Sequence, residues 1–100
     1  MPKQNSQGDF MNYSELHYIL CIAKHQNLTR AAQELYISQP TLTKHLQKLE
    51  REMGAKLFSR NGNTYVPTYT GRKYMEYARK ILQVKQDWEK ELKDLTENNE

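Results

Sequence analysis

The sequence predicts a mainly α-helical fold, with three short helices, a two-stranded β hairpin and one long final helix. Three observations carry that reading. Apolar residues recur at helical spacing through residues 14–53, an Asn61-Gly62-Asn63 turn stands between two β-prone runs, and an unbroken helical pattern fills the rest. With 100 residues there is room for one small domain and an appendage, which excludes the large enzyme architectures. Leu, Ile, Val and Phe together number only 19, close to the composition of disordered chains, but the net charge is only +3 and the apolar residues are periodic. A core of about 60 residues buries only ~60% of its unfolded surface, so help from a partner chain is expected.

Residues 1–11 are polar, contain Pro2 and Gly8, and read as a flexible tail. Ser14 is the candidate cap of the first helix, in which Leu16, Ile19, Leu20 and Ala23 follow helical spacing to about His25. Asn27 caps a short second helix through Ala31, Ala32 and Leu35, and the paired alanines allow close packing. Ser38 caps the third, with Pro40 in its first turn, where a missing N–H costs nothing. Leu42, Leu46, Leu49 and Met53 form its inward stripe, and Gly54 stops it. Residues 56–60 and 64–66 read as strands, the second ended by Pro67. Thr68 caps the last helix, over residues 69–96 and ~40 Å long, which leaves residues 97–100 as a polar tail. In that helix Tyr74, Ile81, Trp88 and Leu95 recur every seven residues, Ala78 and Leu92 fill intermediate steps, and Lys85, beside Val84, breaks the second series. The preceding domain is too short to cover this seam, so pairing with another helix is expected.

Charge is uneven along the chain. Residues 1–37 are neutral overall, residues 38–73 carry seven bases against two acids, and residues 74–100 carry five bases against seven acids. The basic excess marks a polyanion-facing stretch. The second helix, the turn Tyr36-Ile37-Ser38-Gln39 and the third helix have the length and spacing of a helix-turn-helix, and the hairpin stands where a wing would. With the Leu stripe inward, Gln39, Thr41, Thr43, Lys44, Gln47, Lys48 and Arg51 face out. Short polar groups at the helix tip and bases along its flanks are what reading the major groove of double-stranded DNA requires. His45 is also expected to point outward, as a candidate for a phosphate or base contact.

The elements Ala31-Ala32-x-x-Leu35, Ser38-Gln39-Pro40-Thr41-Leu42-Thr43-Lys44, Leu49-Glu50-x-x-x-Gly54, Leu57-Phe58-x-Arg60 and Thr68-Tyr69-Thr70-Gly71 occur in this order. Through them, residues 12–96 resemble the N-terminal DNA-binding domain of the LysR-type transcriptional regulators. The resemblance implies a winged helix-turn-helix over residues 12–68 and a dimerisation linker helix over residues 69–96, paired antiparallel with a second copy. It implies a sequence-specific regulator of transcription that binds an interrupted palindrome in double-stranded DNA as a homodimer. By position, Gln39, Pro40, Thr41, Thr43 and Lys44 match the groove-contacting segment, Thr29 and Arg30 the phosphate-touching start of the scaffold helix, and Arg60 the basic end of the first wing strand. Ser38, Gln47, Lys48 and Asn63 complete the candidate DNA-binding set; Tyr74, Ala78, Ile81, Trp88, Leu92 and Leu95 form the candidate dimerisation set. Two departures stand out. The wing tip Asn61-Gly62-Asn63-Thr64 lacks the Arg or Lys that members often insert into the minor groove, leaving hydrogen bonding by Asn63. No effector-binding domain of periplasmic-binding-protein type follows Glu100, so the chain is expected to be either an excised fragment, the favoured reading, or a naturally truncated member, in both cases without a small-molecule effector site.

Other chemistry has little support. His17, His25 and His45 show no ligand spacing with a supporting carboxylate set, so no metal site and no cofactor are expected. There is no glycine-rich phosphate loop and Ser38 has no evident base partner, so no enzyme is expected. Cys21, inside the apolar run of residues 18–23, reads as a buried, reduced thiol. The N-terminus has no apolar leader and no stretch approaches a membrane span, which points to the cytoplasm. The rival reading is a protein-interaction module acting through the long final helix. Against it, Trp88 falls in the heptad seam and the basic excess falls in residues 38–73.

Overall fold

The computed structural model describes residues 11–98. In order, the elements are α1 (Tyr13–His25), α2 (Leu28–Leu35), α3 (Gln39–Met53), β1 (Phe58–Asn61), β2 (Thr64–Pro67) and α4 (Tyr69–Asn98). The expected tail of residues 1–11 lies outside the described residues except for Met11, which packs against the core. α4 runs two residues beyond the expected end at Thr96, so the expected polar tail of residues 97–100 is helical as far as Asn98.

Capping chemistry sets the helix limits. Asn12, not Ser14, caps α1, its side-chain carbonyl accepting the Glu15 N–H at 3.0 Å; an Asn at this position caps at least as well as a Ser. Asn27 Oδ1 accepts the Arg30 N–H at 2.8 Å and Ser38 Oγ accepts the Thr41 N–H at 3.2 Å, as the sequence predicts. α1, α2 and α3 each end on a left-handed residue: Gln26 (φ 55°), Tyr36 (φ 59°) and Gly54 (φ 75°). Only the last is glycine, so the two turns that orient α2 hold side chains in a conformation costing ~1–2 kcal/mol each.

The core lies where α1, α2 and α3 meet. Leu16, Ile19 and Ile22 of α1, Leu42 and Leu49 of α3, and Leu57 are fully buried, each contributing ~1.5–3 kcal/mol by leaving water. Buried Ala31 and Ala32 let α2 approach closely. The hairpin pairs Phe58 with Pro67 and Asn61 with Thr64. Its turn is therefore Gly62-Asn63, one residue tighter than the sequence suggests, with Gly62 at φ 63°. The Tyr65 N–H donates to the Gln26 carbonyl at 3.0 Å, fastening the hairpin to the α1–α2 turn.

The end of α3, the start of β1 and the start of α4 are joined at one place. Glu50 is buried, and its Oε2 accepts the N–H groups of Leu57 and Phe58 at 2.8 and 3.3 Å. The Thr68 N–H donates to the Leu57 carbonyl at 2.9 Å, and the Thr68 hydroxyl donates to the Lys56 carbonyl at 2.6 Å while accepting the Gly71 N–H at 2.9 Å. Gly71 is seated so closely that a Cβ would lie 2.0 Å from the Leu57 oxygen.

This docking corrects the expected dimerisation set. Tyr74 and Ala78 are 7% and 0% exposed, covered by their own domain because the first turns of α4 lie against α1. Burial, and then the charge of Glu15, holds the Tyr74 hydroxyl well above the ordinary tyrosine pKa. Ile81, Val84, Trp88, Leu92 and Leu95 are 41–67% exposed and form one continuous stripe. Lys85 does not break it. Its ammonium lies 4.5 Å from the centre of the Tyr13 ring and pairs with Glu89, which raises its pKa, while Val84 takes the seam position.

Candidate nucleic-acid interface

α3 presents Thr41, Lys44, Gln47, Lys48 and Arg51 to solvent. Two residues expected to read base edges are tied to each other: the Gln39 amide N–H donates to Thr43 Oγ1 at 2.6 Å, and the Thr43 hydroxyl donates to the Gln39 backbone carbonyl at 3.0 Å. This holds the Gln39 side chain in one orientation, with less entropy to lose on binding. Ser38 and Thr41 are similarly engaged, hydroxyl to hydroxyl at 2.8 Å. Pro40 is exposed in the first turn.

The fold brings α2, α3 and the hairpin to one polar cleft of ≈ 220 Å³, lined by Asn27, Thr29, Gln39, Arg60, Asn63 and Tyr65 among others. Four candidate DNA-binding residues thus converge from three elements. Arg30 is exposed on α2 but does not line this cleft. Lys48 lies 3.6 Å from Glu52, an exposed pair worth little. His45 departs from expectation. It is half-buried, its ring 4.9 Å from that of Tyr18, because its place on the helix borders the inward Leu stripe.

Tyr65 and Glu50 were not among the expected site residues. Tyr65 stands opposite Arg60 in the hairpin, and the Arg60 guanidinium lies 5.4 Å from its ring centre while its Nε–H donates to the Gly62 carbonyl at 3.2 Å. Arg60 is thereby aimed by a stacked ring. The cross-strand register would have revealed this pairing, had the turn been read as two residues. Glu50 anchors the base of the hairpin, and Lys56 answers its charge at 3.7 Å.

Residues 13–72 match the family described as "Bacterial regulatory helix-turn-helix protein, lysR family". The chain belongs to the LysR family. Among curated relatives, it is 38% identical over 85 residues to the HTH-type transcriptional regulator CitR of Bacillus subtilis (strain 168), covering 85% of this chain and 28% of CitR. It is 38% identical over 81 residues to the RuBisCO operon transcriptional regulator of Allochromatium vinosum, covering 81% of this chain and 27% of that protein. It thus spans under a third of the length of these LysR-type relatives. Among solved structures, a complex of the BenM DNA-binding domain with benA site 1 DNA superposes with a TM-score of 0.80 at 30% identity, covering 86% of this chain and 97% of that one. The winged helix-turn-helix architecture is that of the LysR DNA-binding domains. No helix among the described residues is long and apolar enough to cross a membrane.

Proposed function

We propose that this LysR-family chain binds double-stranded DNA sequence-specifically, as the DNA-reading part of a transcriptional regulator, and that it is a cytoplasmic, non-enzymatic protein acting as a homodimer on an interrupted palindrome. Residues 12–68 form the reading unit and residues 69–96 the dimerisation helix. In this reading Gln39, Pro40, Thr41, Thr43 and Lys44 enter the major groove, and Ser38 fixes the helix tip. Gln47 and Lys48 flank them, Thr29 and Arg30 meet phosphate, and Arg60 and Asn63 reach the adjoining backbone from the wing. The observation that carries it is the polar cleft in which Thr29, Gln39, Arg60 and Asn63 meet beside the exposed basic face of α3.

The occupant of the α4 stripe is a second copy, which buries Ile81, Val84, Trp88, Leu92 and Leu95 of both chains at once. Two-fold pairing then sets two half-sites on one face of the duplex, ~34 Å apart or a multiple of that. Selection of bound sites from a random DNA pool tests the whole reading: a symmetric consensus supports it, and recovery of unenriched DNA overturns it. If each protomer neutralises roughly four phosphates, log K falls with log[salt] with a slope of about −7. A slope near zero removes the electrostatic part.

A further inference from the structure

Apart from the candidate DNA-binding residues, the packing of α1 against α2 assembles three metal-ligating side chains of different chemistry. Cys21 and His25 are one helical turn apart on α1, and Glu34 reaches them from α2. Their ligand atoms, the Cys21 Sγ, a ring nitrogen of His25 and a carboxylate oxygen of Glu34, all lie within 4.8 Å of one another. His25 Nε2 is already 2.7 Å from Glu34 Oε1, and Lys24 Nζ lies 3.0 Å from the same oxygen. The group grades from the buried thiol through a half-buried imidazole to an exposed carboxylate, so it opens to solvent on the Glu34 side.

We propose that Cys21, His25 and Glu34 form a three-ligand site for a borderline divalent transition cation, zinc in the first instance, with water in the fourth position. One thiolate, one imidazole and one carboxylate suit a tetrahedral ion with an open position. Donors around such an ion stand about 3.3–3.6 Å apart, from metal–ligand lengths of about 2.0–2.3 Å. The imidazole and carboxylate therefore separate slightly, and the sulfur closes by on the order of 1 Å, movements of rotamer scale.

Binding is a simple exchange. The cation enters, the Cys21 thiol gives its proton to solvent as the metal–sulfur bond forms, His25 offers the lone pair of a neutral ring, and Lys24 leaves Glu34 for water. The sulfur also gives up its weak hydrogen bond to the Ala31 carbonyl, at 3.6 Å. No electron changes hands. The ion then links α1 to the scaffold helix of the helix-turn-helix in place of the exposed Lys24–Glu34 bridge.

The test is titration of the reduced 100-residue chain with Co2+ alone, in a non-thiol reductant. The expected result is one ion per chain, a thiolate-to-cobalt charge-transfer band in the near ultraviolet, four-coordinate ligand-field bands in the visible, and loss of all of them on adding Zn2+. Cys21→Ala removes the charge-transfer band. His25→Gln and Glu34→Gln, at side chains 24% and 47% exposed and so compatible with folding, each weaken binding by about tenfold or more. Far-ultraviolet circular dichroism verifies that the variants are folded. Absence of the band in the wild-type chain, or its survival at wild-type affinity in either His25→Gln or Glu34→Gln, overturns the site.

Discussion

The inner and outer parts of α4 carry the same seven-residue apolar pattern and meet opposite fates. Tyr74 and Ala78 are sealed under their own domain, whereas Ile81, Trp88 and Leu95, on the same helix face series, stand in water. Periodicity identifies an apolar stripe but says nothing about what covers it. The boundary is fixed by the join at Glu50, Leu57, Thr68 and Gly71, which sets how many turns of α4 lie against α1 before the helix leaves the domain.

The sharpest way to break this contrast is to place the same charge on each side of the boundary. Ala78→Asp buries an unpaired carboxylate and is expected to cost ~3–5 kcal/mol, a large part of the stability of a small domain, seen as a lowered urea midpoint. Ile81→Asp with Trp88→Asp should leave the unfolding of the single chain nearly unchanged, while removing ~1.5–3 kcal/mol of association per side chain. Sedimentation should report a monomer, and palindrome binding should fall far more than half-site binding; a double variant that still sediments as a dimer moves the interface elsewhere.

At the join itself, Glu50→Gln keeps the shape but loses the charge that accepts two backbone N–H groups. A loss of ~1–3 kcal/mol is expected in chemical denaturation, with oligomeric state unaffected. A change of similar size, read on DNA binding rather than on stability, belongs to the proposed DNA-reading tip. Gln39→Ala and Thr43→Ala should each reduce cognate discrimination by ~1–3 kcal/mol, and the double variant by less than the sum, since each residue orients the other. Competition titrations with cognate and random DNA measure it; a strictly additive pair would mean that the Gln39–Thr43 hydrogen bond has no part in recognition.

Much of this was legible in the residues. Asn27, Ser38, Gly54 and Thr68 have side chains, or in Gly54 the lack of one, whose capping role depends only on local backbone geometry, and each performs it. Asn12 was missed because two good caps stood two residues apart and only the wider packing chooses between them. His45 was misjudged because a side chain at the edge of a stripe is assigned to water or core by small helix rotations that spacing does not encode. Glu50 is the clearest case, since a carboxylate on an amphipathic helix reads as solvated until the chain returns beneath it with two unsatisfied N–H groups. The convergence of Cys21 and His25 with Glu34 was hidden similarly, because it depends on how α2 settles on α1.

Gly71 carries one more consequence. With α4 seated against the Leu57 carbonyl and no room for slack, the helix leaves the domain as a rigid arm, and its sequence numbering becomes an angular scale. Inserting a single residue between Ala78 and Ile81 would turn everything beyond by about 100°, carrying the exposed stripe to the wrong side, whereas inserting seven would return it to nearly the original heading but ~10 Å further out. In the proposed dimer, length along α4 would thus be converted directly into the separation and relative bearing of two reading heads.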